Sequence, residues 1–136
     1  VIYRIFSIAL LAINLKFNKS DPTLVQIFDV KQEKVIKQIT LTNDLMKSII
    51  TSLDSTPKMY DGFSVNPNSG IVLHVEFMNS IKLSSAIYPD LIKEVYLFLE
   101  DHSQPKALIF FNSSSKYIVV VLDEKSDQFT IQDKLN

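Results

Sequence analysis

A chain of 136 residues with 46% hydrophobic side chains has the length of one domain and enough apolar material for one core. Its 14 basic and 15 acidic side chains leave a net charge of −1, so no long-range field draws it to a polyanion, and general nucleic-acid binding is disfavoured. There is no cysteine, and the only glycines are Gly62 and Gly70, which excludes disulfides, thiol catalysis, cysteine-ligated metals and a Gly-rich phosphate cradle.

Arg4 precedes an uncharged apolar run from Ile5 to Leu15 that Lys16 closes. One early cation and a short apolar run have the form of an export signal or a short signal-anchor. The run falls below the roughly 20 residues that span a bilayer comfortably. In the competing reading Ile2 to Phe17 is a core element of a cytosolic domain, with Ile5, Ile8 and Leu11 packed on a sheet. We take residues 1–17 as the hydrophobic signal or anchor segment and 18–22, with Pro22, as a linker. Residues 23–136 then form a single α+β domain.

Leu24 to Val30 and Val35 to Leu41 read as two strands joined by the polar turn Lys31 to Lys34, a hairpin. Asn43 is the expected helix cap and Asp44 suits the positive end of the dipole. Leu45, Met46, Ile49, Ile50 and Leu53 gather on one helical face, with Lys47 and Ser48 on the other. Pro57 stops this helix near Ser55. Residues 58–70 lack periodicity and read as a loop, with a short extended stretch at Phe63 to Val65.

Ile71, Leu73, Val75 and Phe77 alternate with Val72, His74 and Glu76, the pattern of a strand with two different faces. A turn is expected at Asn79-Ser80, and a short strand or irregular link over Ile81 to Ala86. Lys93 to Leu99 is apolar on both faces and reads as a central strand, with a helix from Pro89 as its competitor. Ala107 to Phe111 and Tyr117 to Leu122 complete an antiparallel meander. Ser126 to Leu135 fits either a second helix or a strand. The predicted architecture is a mainly antiparallel sheet, one central helix packed on a face, and a candidate C-terminal helix.

Chemistry is sparse. The two histidines, His74 and His102, stand in no metal-type spacing, and the serines, including Ser113 to Ser115, lie in no nucleophile elbow. His74 and Glu76 share one strand face, where an imidazole and a carboxylate support a proton relay or a metal; the competing reading is a solvated neighbour pair that needs no function. Asp90 and Glu94 are four apart and share a face only if that segment is helical. Met59, Tyr60 and Phe63 put apolar groups into a long loop, the kind of segment that carries binding function; in the competing reading these side chains fold back and seal one sheet edge. The candidate ligand-binding residues are therefore Met59, Tyr60, Phe63, His74 and Glu76. No catalytic residue, metal ligand or cofactor is assigned.

From Val25-Gln-Ile-Phe-Asp-Val30 and Lys34-Val-Ile-Lys37 onward, the chain resembles a poorly characterised group of small proteins of spore-forming Gram-positive bacteria, exported or membrane-tethered. The likeness continues through Glu94-Val-Tyr-Leu-Phe-Leu-Glu100, the Pro105 turn and Leu108 to Phe111, and spans most of Leu24 to Leu122. It departs at Asn112 to Ser115 and Tyr117 to Leu122, where the group has a more aromatic final strand. The resemblance implies export and carries no assigned activity, so it transfers no functional residue.

Three readings of function follow. The leading one is a non-enzymatic extracytoplasmic binding module, secreted or anchored to the membrane through residues 1–17. Its partner is a protein or cell-envelope component, and a second copy of the chain joined through an edge strand is a further candidate. The second is a small acid–base enzyme using His74 and Glu76. The third is a cytosolic structural or inhibitor-like protein.

Overall fold

The computed structural model describes residues 23–55, 57–62, 64–113 and 116–123, together with Ile131 and Leu135. The predicted hairpin forms: β1 (Leu24–Asp29) pairs antiparallel with β2 (Lys34–Thr40). Asp29 shapes its turn, accepting from Gln32 N through the carboxylate at 2.8 Å and from Glu33 N through the carbonyl at 2.9 Å. The register shifts between Ile27 and Phe28, leaving Ile36 as the extra residue of a bulge.

Helix α1 (Asn43–Leu53) is capped one residue earlier than the sequence suggests. Thr42 has extended backbone, and its Oγ1 accepts from Leu45 N at 3.1 Å, so Asn43 is already in the first turn. Leu45, Ser48, Ile49, Ser52 and Leu53 are the buried residues, while Met46 and Ile50 flank the core. Ser48 was expected on the outer face with Lys47; it lies three and four residues from its buried neighbours and turns inward. Two serines on the buried stripe keep that face narrow where the helix meets the sheet. At the far end, the Asp54 carboxylate accepts from Ser84 N and Ser85 N, and Tyr88 Oη donates to Leu53 O at 2.5 Å.

The remaining strands are β3 (Lys58–Met59), β4 (Ile71–Ile81), β5 (Ile92–Leu99), β6 (Lys106–Phe111) and β7 (Tyr117–Val121). They complete a seven-stranded sheet in the order β2-β1-β4-β5-β6-β7-β3, and every pairing is antiparallel. The fold is thus α+β and dominated by its sheet. Two expectations are corrected. β4 runs through Asn79-Ser80, where a turn was predicted, because an irregular register lets Ile81 rejoin Ile92. β3 lies inside the stretch read as a loop, too short to leave a periodic signal. The candidate C-terminal helix, Ser126 to Leu135, lies almost wholly outside the described residues. Of Ser126 to Leu135 only Ile131 and Leu135 are described, and both are buried in the main core.

Both faces of the sheet are apolar. On one, Val25, Leu73, Val75, Leu97 and Ile109 meet Leu45, Ile49 and Leu53 of α1. On the other, Phe28, Val72, Tyr96, Phe98 and Leu108 form a second cluster. Burial on both sides explains the unbroken apolar run of β5.

The strand order determines where the long connection goes. β3 sits at the edge beside β7, but β4 lies next to β1. The chain leaving β3 must pass β7, β6 and β5, four strand spacings of about 4.8 Å each. It does so on the face opposite α1, where Tyr60 and Val65 join the second cluster. The described residues of the 60–70 segment, 60–62 and 64–70, therefore form a strap across that face. Residues 1–22, including the segment read as a signal or anchor, lie outside the described residues. Among the described residues no helix is long and apolar enough to cross a membrane.

Candidate functional site

The strap is pinned at both ends. At its start Tyr60 N donates to Val119 O at 2.9 Å and Tyr60 Oη to Ser64 O at 2.7 Å. A Cβ on Gly62 would collide with the Tyr60 ring, so the missing side chain lets the phenol turn back over the strap. In the middle Val65 and Pro67 are buried, and Asn66 N donates to Ser64 Oγ. At its end Asn68 N donates to Glu100 Oε1 at 2.6 Å and Asp101 N to Ser69 Oγ at 3.3 Å. Gly70 has φ of +80°, and its Cβ would strike Leu99 O.

Between strap and sheet lies a depression of ≈190 Å³. Tyr60, Ser64 to Asn68, Phe98, Glu100, Gln104 and Lys106 line it. Phe98 pairs with Lys106 across β5 and β6, and Glu100 follows two residues beyond Phe98 on the same face. One cation and one anion thus stand at its wall. Lys106 Nζ is 5.6 Å from the centre of the Tyr60 ring, within cation–π range.

Of the residues predicted to bind, Tyr60 alone lines this depression among those described. Met59 is 56% exposed on the outer edge, where β3 covers the backbone of Val120 and Val121. Phe63 lies outside the described residues. Sequence reasoning missed Glu100, Gln104 and Lys106; polar residues that interrupt apolar strands at one sheet end were the available signal, but without the strand order they pointed nowhere.

His74 and Glu76 do not come together. His74 Nε2–H donates to Glu94 Oε2 at 2.8 Å, and Nδ1 lies 3.1 Å from Gln26 Oε1. Its ring stacks on Tyr96, with centroids 4.4 Å apart. The His74 side chain is only 6% exposed. Glu76 is exposed and stands directly opposite Glu94. An imidazolium serves both acceptors with its two N–H groups; a neutral ring requires the Gln26 amide to turn its NH₂ inward. Burial raises the Tyr96 phenol above its ordinary value of 10.0, and the Glu94 and Glu76 charges add to the shift.

Asp90 and Glu94 also part company, because Asp90 precedes β5 in a loop and Glu94 is in the strand. Asp90 accepts from the hydroxyl and N–H of Ser113 and from Leu91 N. The Ser113 side chain first, then the backbone donors, hold its carboxyl below the usual range even though burial opposes them. A second depression, ≈240 Å³, lies beside this loop and Tyr88. Among the described residues no group of three His, Asp or Glu is arranged to hold a metal ion.

Comparison with protein-family models, with curated proteins and with solved structures gives no match.

Proposed function

We propose that the protein is a non-enzymatic binding module acting outside the cytoplasm, with residues 1–17 as its export signal or membrane anchor. Its partner is a protein or cell-envelope component, met at the strap of residues 60–70 and the depression beneath it. One observation carries the reading: the strap leaves a walled, polar hollow against the antiparallel sheet. A connection serving only as a seal would leave no such space between itself and the sheet. The arrangement of His74 supports a binding role over catalysis, since both ring nitrogens are engaged and the ring is enclosed. A general base has to reach a substrate proton. The resemblance to small exported proteins of spore-forming Gram-positive bacteria supports the location, as does the cation followed by an apolar run at Arg4 to Leu15.

Fractionation of cells making the full chain, or a chain lacking residues 1–17, tests the location, with protease added to intact cells. The reading predicts a full chain that is membrane-associated and cleaved, and a truncated one that stays folded in the cytosol. A full chain that is cytosolic and protected, with a truncated form that aggregates, overturns it and makes the segment part of the core.

A further inference from the structure

We propose that the depression beneath the strap is a receptor site for a small zwitterionic α-amino acid. The inference rests on the binding-module reading and adds to its partner a small-molecule ligand held in the depression.

Size restricts the choice first. At ≈190 Å³ the space is below the roughly 300–1,000 Å³ of drug-sized pockets, so its occupant is a molecule of amino-acid dimensions. Charge restricts it further. Lys106 pairs with Phe98, and Glu100 follows two residues after Phe98, just past the end of β5, so both charges stand at the same wall. They do not pair with each other. Lys106 Nζ stands over the Tyr60 ring, and Glu100 uses Oε1 to accept from Asn68 N. The ammonium and the second carboxylate oxygen are left for a ligand. An anion would satisfy Lys106 and meet repulsion from Glu100; a cation would do the reverse. A neutral molecule would use neither charge.

A free α-amino acid matches both, its carboxylate toward Lys106 and its ammonium toward Glu100 Oε2. Gln104, on the same wall, adds an amide that can donate and accept. Phe98 and Val65, both buried, provide an apolar floor for a small side chain such as a methyl or isopropyl group.

The test is an amide ¹H–¹⁵N titration of the full chain with L-alanine, N-acetyl-L-alanine and L-alaninamide. The proposal predicts saturable shifts at Gln104, Lys106 and Asn68 with L-alanine, and binding at least tenfold weaker for each blocked form, which lacks one charge. No shift with L-alanine, or equal shifts with all three, overturns it. Lys106→Met and Glu100→Gln should each weaken L-alanine binding about tenfold, or about 1.4 kcal/mol. The Gln variant keeps an acceptor for Asn68 N. If either variant loses its dispersed spectrum, the three ligands on the natural chain decide alone. Failure here with a protease-accessible protein in cells removes the ligand class and leaves the binding module. Alanine binding by a protein that proves cytosolic removes the extracytoplasmic reading and leaves the site.

Discussion

His74 Nε2 lies 2.8 Å from Glu94 Oε2, across the β4–β5 boundary and one diagonal step from its directly paired residue, Tyr96. The pair is embedded: Gln26 holds the other ring nitrogen and Tyr96 stacks on the ring. Removing either member leaves a polar group in a largely enclosed place. His74→Phe and Glu94→Gln should each lower stability in urea by about 1–3 kcal/mol, mostly through the partner left unsatisfied. The double variant should cost less than the sum of the two by about 1 kcal/mol. Strict additivity would show that the two side chains do not act as a unit.

This relationship also shows where the sequence stops being readable. His74 and Glu76 sit on the same strand face, so the sequence pairs them. Same-face neighbours on a strand are about 6.6 Å apart along the chain, while a cross-strand diagonal brings long side chains together. Choosing Glu94 required the register His74↔Tyr96 between segments about twenty residues apart. The strands themselves were legible, because alternation or a continuous apolar run follows from burial on one face or two. The strap was legible as an aperiodic segment carrying apolar groups and illegible as a position. Its place over Phe98 and Lys106 follows from β3 landing beside β7, and a two-residue strand carries no period. The helix shows the same limit on a small scale: Thr42 and Asn43 are both good caps, and backbone angles choose between them.

Ser52 is buried against the sheet, and its Oγ has no hydrogen-bond partner among the described residues. Ser52→Ala removes an unsatisfied hydroxyl while keeping the narrow helix face. Urea unfolding should show stability unchanged or higher by up to about 1 kcal/mol. A loss beyond that would mean the hydroxyl is held in a bond after all.

Tyr96 and Tyr88 are both buried, and both phenols are pushed above 10.0, Tyr88 by burial first and then by the Asp54 charge. The sign follows directly: the folded state keeps the proton that the unfolded state gives up. Their contribution is full below pH 10 and is lost as pH rises from there toward the folded-state values. Between those limits each group lowers stability by about 1.4 kcal/mol per pH unit. Tyr96→Phe should therefore show a shallower alkaline decline than the natural chain. Parallel curves from pH 10 upward would contradict the assignment.

Gly70 ends the strap with positive φ, and its Cβ would meet Leu99 O. Its carbonyl also accepts from Val30 N at 3.1 Å, which ties the strap to the β1 turn. Gly70→Ala should cost about 1–3 kcal/mol through backbone strain and the displaced carbonyl. Limited proteolysis should find new cuts between Tyr60 and Gly70 while the sheet stays intact. Cuts elsewhere, or none, would separate the glycine from the strap.

On the proposed function, the strap side of the sheet meets a partner outside the cytoplasm. A photo-crosslinking side chain at Ser64, exposed on the strap, tests this in intact cells, with Lys47 on the outer face of α1 as the control. A discrete adduct is expected from position 64 that partitions with the cell envelope, with none from position 47 and loss of the adduct on Lys106→Met. Absence of any adduct at position 64, or equal adducts from both positions, would contradict it.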